Sequence, residues 1–287
     1  MKINLKILEK ESIPKDLLEI PQPPKKLYLW GNLPPKGTIH LAVVGSRKCT
    51  TYGKDAVRKL IAGLKGYPIA IVSGLAMGID AVSHETALEN GLFPMAFPGS
   101  GISNIALSYH PNKKLMEKII DSGGCLISEF EPEFKATLWS FPMRNRLVAG
   151  ISKAALIIEA EEKSGTLITA RMALDYNREV LAVPGSIYSL NSKGTNRLIR
   201  QGATPITSSE DILEALGFKT DKESKQKNLF EDANLEEKNV LKILREPLPR
   251  DELIRALGMP IQHANSLLSI MEIKGLIKEE LGEIRIY

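Results

Sequence analysis

The sequence is poor in cysteine, in aromatic residues and in long apolar runs, and each shortage excludes a class of protein. Its 287 residues include two cysteines, which cannot form a framework of several disulfides. Because Cys49 and Cys125 belong to no Cys-x-x-Cys pair, no zinc site built on thiolates is indicated either. We therefore expect a reduced protein with a cytoplasmic location.

No apolar run approaches the roughly 18 residues that a membrane-spanning helix needs, and the N-terminus lacks the apolar block of a signal peptide. We expect no interaction with membranes. The chain is 43% hydrophobic and 25% charged, which is ordinary for a globular protein and excludes a mostly disordered or collagen-like chain. At roughly 100–200 residues per domain, its length predicts one large domain and one small one.

Neither sign of charge dominates. The formal net charge is +4, with +3 in residues 1–36, +2 in residues 37–218 and −1 in residues 219–287. A chain this weakly positive can bind nucleic acid only through a local patch of cations.

Composition divides the chain into four segments. Residues 1–36 hold six prolines, which predict an extended lead-in with one short helix near Lys15–Glu19. Residues 219–234 open on a polar run that cannot bury a core and is typical of a linker. The remaining segments, residues 37–218 and 235–287, carry the periodic patterns of folded domains.

Residues 37–218 alternate short apolar runs with helical patterns, as βαβ units do. We predict a Rossmann-like α/β domain with a mostly parallel sheet and helices on both faces. The predicted strands are His40–Val44, Ile69–Val72, Phe93–Phe97, Cys125–Ser128, Ala154–Ile158 and Val180–Val183. The helical patterns between them are Asp55–Leu64, Asp80–Leu88, Leu115–Asp121 and Leu167–Tyr176.

Residues 235–287 show the order of a winged helix. Three helices are predicted at Leu235–Leu244, Asp251–Leu257 and Ile261–Ile273. A hairpin around Gly282 follows them.

Small residues follow most of the predicted strands, as in Gly45-Ser46-Arg47, Ser73-Gly74, Pro98-Gly99 and Ser164-Gly165-Thr166. Ligands of parallel sheets bind beyond the carboxyl ends of the strands, where backbone N–H groups and helix N-termini attract anions. Glycine also simply closes tight turns, but four such loops on one sheet edge favour a phosphate site. No loop matches a dinucleotide or P-loop fingerprint, so we expect no bound cofactor.

The segment Trp139–Arg146 interleaves two aromatic residues with two arginines. Single-stranded nucleic acid is held by this chemistry, with arginines on phosphates and rings under bases. The same pattern fits a helix start whose Phe141 packs in the core and whose arginines form ion pairs, and the sequence does not choose. The later stretch Lys193–Arg200 is basic, and it fits either a nucleic-acid contact or a solvated helix face.

Catalytic constellations are weak, and no histidine has the spacing of a metal ligand. Asp80 and His84 lie at positions i and i+4 of one predicted helix and could act as a general base and the residue that orients it. We favour a structural role for both, with Asp80 capping the helix and His84 packed in the core. Glu159 and Glu161 could hold a ribose hydroxyl or a cation, or could bond backbone groups, and both alternatives stay open.

At this point a set of short motifs resembles the DprA/Smf family of bacterial DNA-processing proteins. The motifs occur in the family's order over residues 40–216. They are Val44–Arg47, Ser73–Asp80, Ser128–Phe130, Phe141–Arg146, Glu159, Lys163–Ala170, Val183–Gly185 and Gly194–Ala203.

The resemblance implies a protein that binds single-stranded DNA in natural transformation and recombination, protects the incoming strand and loads the RecA recombinase. It also implies a homodimer formed through the Rossmann-like domain. Arg47 would be the main phosphate contact, and Phe141 would stack on a base. The same site would include Gly45, Ser46, Gly74, Arg144, Asn145, Arg146, Lys163, Ser164, Gly165, Thr166, Lys193, Asn196 and Arg197.

Two departures from the family pattern stand out. Many members carry an N-terminal helical domain, of which this sequence shows only the trailing segment around Pro23-Pro24. Trp139 stands beside the expected stacking position, so either Trp139 or Phe141 could contact a base.

The main rival is a nucleotide-hydrolysing enzyme of a related fold. Nucleotide phosphoribohydrolases carry Gly-Gly-x-Gly-Thr-x-x-Glu, whereas here Gly165-Thr166 is followed by Thr169 at the glutamate position. This difference is evidence against catalysis, and we expect a binding protein rather than an enzyme.

The winged helix is unpromising as a DNA reader. Its third predicted helix, Ile261–Ile273, contains no arginine or lysine, and its segment is slightly acidic. We expect negligible DNA binding there and a role in protein interaction. Self-association is expected instead near the apolar segments Pro205-Ile206 and Ile212–Leu216, on the strength of the resemblance more than of the pattern.

Overall fold

The computed structural model describes residues 3–108, 110–218, 234–244, 246–280 and 282–286. The chain divides into two compact units, Met1–Lys219 and Thr220–Tyr287. Each unit has its own apolar core. Most of the predicted linker, residues 219–233, lies outside the described residues, whereas Asn234 caps the first helix of the second unit.

A nine-stranded sheet forms the first unit. Its strands are β1 Leu5–Leu8, β2 Leu27–Gly31, β3 Ile39–Val44, β4 Ile69–Ser73, β5 Phe93–Ala96, β6 Cys125–Ser128, β7 Ala154–Ile157, β8 Glu179–Ala182 and β9 Thr204–Pro205. The spatial order is β1-β2-β6-β5-β4-β3-β7-β8-β9. The strand β2 pairs antiparallel with both β1 and β6, and the other neighbouring pairs are parallel. The predicted mostly parallel, Rossmann-like sheet is confirmed.

The strand order reverses at β3. The chain builds outward from β3 through β4 to β6, then returns to place β7 on the other side of β3. In open parallel sheets, such a switch point separates the loops that follow the two neighbouring strands and leaves a crevice between them. The topology therefore locates a ligand site beyond the carboxyl ends of β3 and β7.

Helices cover both faces of this sheet. They are α1 Lys15–Leu18, α2 Thr51–Ala62, α3 Ile79–Glu89, α4 Asn104–Leu107, α5 Lys113–Asp121, α6 Ser140–Ile151, α7 Thr166–Asp175, α8 Lys193–Arg200 and α9 Ser209–Ala215. Alternate residues of β3 enter opposite cores, because successive strand side chains point to opposite faces. Ala42 and Val44 pack with α6 and α7, while Leu41 and Val43 pack with α2 and α3.

The first 36 residues differ from the extended lead-in that their prolines predict. The expected short helix is present as α1, but the chain also supplies β1 and β2, and β2 pairs with β6. All four residues Leu27–Trp30 are buried. The six prolines lie before and after β2 and not within it, so their missing N–H groups remove no ladder hydrogen bond from this strand. The high proline content of the segment therefore concealed a buried strand.

The apolar segment expected to support self-association is part of the core. Ile206, Ile212 and Leu213 are buried within the first unit, and Leu216 is 1% exposed. These side chains therefore offer no free apolar surface, whereas Pro205 on β9 is exposed. Self-association at this end of the first unit stays a prediction. No helix among the described residues is long and apolar enough to cross a membrane.

The second unit is a winged helix, as predicted. Its helices are α10 Leu235–Ile243, α11 Arg250–Leu257 and α12 Ile261–Ile273. Its antiparallel strands are β10 Leu248–Pro249, β11 Ile277–Glu280 and β12 Glu283–Ile286, with β12 in the middle. Its core contains leucines from all three helices together with Ile277 and Ile284.

We predict that Leu29→Ala lowers the free energy of unfolding by about 2–5 kcal/mol, because the residue is 3% exposed at the centre of β2 and its loss leaves a cavity. Urea unfolding measures the change. The matched control is Ile7→Ala on β1, which removes a side chain that is 55% exposed and should be near neutral. Equal, small effects of the two variants would show that β2 is not an integral strand.

Candidate functional site

A cleft of about 500 Å³ opens at the switch point. It lies among the loops after β3, β4 and β7 and the first turns of α6 and α7. Ten of the residues predicted for the site line it: Gly45, Ser46, Arg47, Gly74, Phe141, Arg144, Asn145, Ser164, Gly165 and Thr166. Residues that lie far apart in sequence are thus brought together by the strand order.

The loop after β3 supplies two exposed cations to the cleft, Arg47 and Lys48. The loop is held close to α3, because Ile79 donates its N–H to the Ser46 carbonyl at 3.2 Å. The Ser46 hydroxyl accepts the Lys48 N–H at 3.1 Å. The Arg47 guanidinium lies 5.0 Å from the centre of the Phe141 ring, within the range of a cation–π contact.

A third cation, Arg144, is buried in the wall of the cleft. It donates hydrogen bonds to the carbonyls of Gly74 and Phe97, and its Nε donates to Asn145 Oδ1 at 3.0 Å. Burial lowers the pKa of Arg144 to about 10, against the opposing effect of Asp80, so the group stays charged at neutral pH. A Cβ on Gly74 would lie 2.5 Å from the Arg144 guanidinium carbon, which explains a glycine at the end of β4.

Asp80 and His84 are structural rather than a catalytic pair. The Asp80 carboxylate accepts the N–H groups of Gly74 and Ala76 at 3.1 and 3.3 Å, and so braces the loop before its own helix. Burial raises the pKa of Asp80, while the nearby Arg144 lowers it. His84 is fully buried, and burial lowers its pKa to about 3, so it is a neutral core residue.

The loop after β7 brings a helix N-terminus to the cleft. Gly165 is the first residue before α7. The N–H groups of the first turn are bonded locally, because Thr166 donates to the Ser164 hydroxyl at 3.2 Å, and Leu167 and Ile168 donate to the carbonyls of Ser164 and Gly165 at 3.1 Å each. The partial positive charge of the helix N-terminus still suits an anion. Glu161 also lines the cleft, whereas Glu159 bonds the Thr50 backbone N–H at 2.9 Å and hydroxyl at 2.5 Å. The two glutamates that the sequence could not separate therefore have different positions.

Phe141, and not Trp139, is the ring that lines the cleft. Trp139 packs outside it against Phe130 and Phe134, with ring centres 5.7 and 5.4 Å away. Phe141 is half-buried and packs beside Gly99, where a Cβ would come within 2.6 Å of the ring. The structure thus separates two aromatic residues that the sequence left as alternatives.

Arg146 does not face the cleft. It donates to the carbonyl of Gln22 at 2.6 Å and forms an ion pair with Glu129. The helix explains the error in the prediction, because two residues along α6 rotate a side chain by about 200° relative to Arg144. Arg146 instead fastens the segment before β2 to the sheet.

Four other predicted site residues lie outside the cleft lining: Lys163, Lys193, Asn196 and Arg197. The first is exposed immediately before Ser164. Asn196 clamps a neighbouring loop, since its amide accepts the Gly185 N–H at 3.2 Å and donates to the Gly185 carbonyl at 2.9 Å. Lys193 and Arg197 are exposed on α8.

Lys48, Ile168 and Thr169 line the cleft but were not predicted as binding residues. Adjacency to Arg47 was the available signal for Lys48. Thr169 follows Thr166 on the first turn of α7, so the position at which a hydrolase would carry its glutamate does face the cleft.

The fold and the cleft define the class of protein. It is a Rossmann-like protein that has a cationic, aromatic site at its topological switch point and that also carries a winged helix. The family model described as DNA recombination-mediator protein A matches residues 4–217, and the DprA winged helix domain matches residues 229–283. The chain belongs to the DprA/Smf family.

Individual relatives agree. The Smf protein of Escherichia coli is 40% identical over 212 residues, covering 73% of this chain and 56% of its own length. Solved structures of DNA processing protein A come from Streptococcus pneumoniae and Helicobacter pylori. The S. pneumoniae structure is 36% identical in sequence with a TM-score of 0.67, and the match covers 77% of this chain and 76% of that chain. The H. pylori structure is 30% identical with a TM-score of 0.64, and the match covers 75% of this chain and 96% of that chain. The H. pylori structure concerns a single-stranded DNA binding mode.

We predict that Arg146→Ala lowers the free energy of unfolding by about 1–3 kcal/mol, because it leaves the Gln22 carbonyl and Glu129 without their buried partner. Chemical denaturation measures the loss. Arg171→Ala serves as control, since it removes an exposed i,i+4 pair with Asp175 and should change stability by less than about 0.5 kcal/mol. A variant at residue 146 as stable as the control would contradict a fastening role.

Proposed function

We propose that the chain binds single-stranded DNA in the cleft at the switch point. The observation that carries the proposal is the pairing of the Arg47 guanidinium with the Phe141 ring in a cleft that the N-terminus of α7 also lines. A ring offers a stacking surface for one base, and the cation and helix N-terminus offer sites for adjacent phosphates. The single-stranded DNA binding described for the H. pylori relative supports the same substrate.

The geometry favours a single strand over a duplex. Stacking on Phe141 requires a base whose face is free, whereas both faces of a paired base are covered by its neighbours in the duplex. A base can share the ring with Arg47 or displace the guanidinium toward a neighbouring phosphate. Either arrangement keeps a cation close to the strand, so the Arg47–Phe141 contact is compatible with binding.

Nucleotide hydrolysis is less well supported. Of the two carboxylates in the cleft, Asp80 accepts hydrogen bonds from backbone N–H groups. Thr169 stands at the position where a nucleotide phosphoribohydrolase would carry its glutamate. Glu161 is the remaining acidic group there. Incubation of the protein with nucleoside monophosphates tests for release of free base.

The wider role rests on family membership. We propose that the protein protects incoming single strands and loads RecA in transformation or recombination, acts in the cytoplasm, and works as a homodimer through its first unit. The S. pneumoniae relative is a DNA processing protein, which supports the pathway. A dimer would place two clefts on one strand and strengthen binding through effective concentration.

We predict that Arg47→Ala weakens binding to an oligothymidylate by about 10- to 150-fold, the cost of roughly 1.5–3 kcal/mol for a charge-assisted contact. Fluorescence anisotropy across salt concentrations should also show a slope shallower by about 0.7. Arg58→Ala is the control, because it removes an equal charge from an exposed position on α2 outside the cleft. Unchanged affinity, or equal affinity of the native protein for duplex and single strand, would contradict the proposal.

We predict that the second unit contributes little to DNA binding. The Arg250 guanidinium, beside α12, forms ion pairs with the carboxylates of Glu272 and Glu279 at 3.2 and 2.8 Å. It also donates a hydrogen bond to Asn265 Oδ1 at 3.3 Å. The first unit has its own cores, so a chain ending at residue 219 should fold. We expect this shorter chain to remain dimeric in sedimentation. Its affinity for single-stranded DNA should change by less than about 3-fold, a free-energy change smaller than the roughly 1 kcal/mol of one contact. Loss of most affinity by a folded, dimeric truncation would make the winged helix a DNA reader.

A further inference from the structure

The loop between β8 and α8 exposes three large apolar side chains within four residues. Ile187, Tyr188 and Leu190 are 77%, 92% and 65% exposed. Such a cluster on the surface indicates a binding site more often than chance, because apolar area is otherwise withdrawn from water. We refer to residues 184–192 as the Tyr188 loop.

The Tyr188 loop has a defined shape. Within it, Ser189 donates its N–H to the Ser186 carbonyl at 3.0 Å, and Ser192 donates to the Ser189 carbonyl at 3.2 Å. The Ser186 hydroxyl accepts the N–H of Tyr188 at 3.3 Å. Two successive turns therefore present the tyrosine ring outward on an ordered backbone, which reduces the entropy that a ligand would have to overcome.

Direct hydrogen bonds join this loop to the rim of the cleft. Asn191 Nδ2 donates to the carbonyl of Lys48, a cleft residue, at 3.0 Å. At the other end of the loop, the Tyr52 hydroxyl donates to the Pro184 carbonyl at 2.6 Å. The Asn191 bond therefore holds the Tyr188 loop next to the side of the cleft that carries Arg47 and Lys48.

A stripe of cations follows the loop. Lys193, Arg197 and Arg200 occupy positions i, i+4 and i+7 of α8, and all three are exposed. The opposite face of the helix, with Gly194, Thr195 and Leu198, is buried. No acidic partner within salt-bridge distance is seen for these three side chains in the part of the chain that the structure describes. The stripe therefore keeps its charge available for a polyanion.

We propose that the Tyr188 loop and the basic face of α8 form a second subsite, which binds the same DNA strand where it leaves the cleft. Tyr188 stacks on an unpaired base, and Lys193 and Arg197 contact flanking phosphates. This inference rests on the proposed function. It explains why Lys193 and Arg197, expected beside Phe141, lie outside the cleft: they serve a later nucleotide of the same strand.

Charge and continuity favour a nucleic acid over a protein partner. An exposed ring followed by cations is the arrangement that holds single strands without reading their sequence. A protein-binding patch would gain little from three positive charges that have no acidic partner among the described residues, unless the bound protein were acidic. The link through Asn191 to Lys48 also places the subsite beside a cleft that would already hold the strand.

The test compares Tyr188→Ala with the unaltered full-length chain on two lengths of oligothymidylate, about 4 and about 16 nucleotides, which span typical single-strand site sizes. Binding of the longer strand should weaken by about 5- to 150-fold, the range for loss of one stacked base. Binding of the shorter strand, followed by NMR chemical-shift titration, should be unchanged because it fills the cleft alone. The matched variant Tyr188→Phe keeps the ring and should retain the native affinity.

A second variant tests the cations. The double substitution Lys193→Ala and Arg197→Ala should make the salt slope for the longer strand shallower by about 1.4, or about 0.7 for each lost phosphate contact. The slope for the shorter strand should not change. Because all the altered side chains are exposed, folding should be preserved, and circular dichroism checks this.

The outcomes separate the subsite from the cleft. If Arg47→Ala weakens both lengths while Tyr188→Ala weakens neither, the subsite is wrong and the proposed function stands. If Arg47→Ala weakens neither length, the proposed function itself fails. Equal losses on both lengths with Tyr188→Ala would make the residue part of the cleft and overturn a separate subsite. A loss of self-association at unchanged DNA affinity would identify the surface as a contact between copies of the chain.

Discussion

The Arg144 guanidinium, buried between strand ends, is the contact on which the geometry of the cleft depends. Its hydrogen bonds to the carbonyls of Gly74 and Phe97 join the ends of β4 and β5 to α6. Asp80, close enough to affect its pKa, holds the loop after β4 by two backbone N–H groups. A buried cation is costly unless it is hydrogen-bonded and balanced by nearby charge. The arrangement therefore tolerates little displacement, and it keeps Phe141, three residues earlier on α6, beside Arg47.

Most of the positive charge that a ligand meets comes from other residues, because Asp80 lies close enough to Arg144 to offset part of its charge. Arg47 and Lys48 add two exposed charges at the rim, and Glu161 subtracts one. The net charge of +4 gave no indication of this concentration, because electrostatic binding depends on the local field and not on the sum over the chain.

Patterns that report on strands and helices predicted most of the architecture. The run Cys125–Ser128 and the helix Ile261–Ile273 have the predicted bounds, because each is a continuous pattern ended by a clear signal. The site was predictable where residues directly follow a parallel strand, as with Gly45 and Gly74. The predictions that failed have two causes. The high proline content before and after β2 masked this strand. The sequence motif grouped Arg144 with Arg146 because they are close along the chain, although the helix directs their side chains to different sides.

The glycines at the strand ends show why a sequence cannot separate packing from binding. A glycine is required at 74 by the Arg144 side chain and at 99 by the Phe141 ring, because a Cβ would collide with each. These residues shape the cleft without themselves needing to contact a ligand. Gly165 differs, since it has an ordinary negative φ of −59° and nothing lies within 4 Å of the place where its Cβ would be. Neither strain nor packing within the chain accounts for a glycine there. Its empty space faces the cleft at the N-terminus of α7, and close approach of a phosphate to the backbone is a physical reason for the missing side chain.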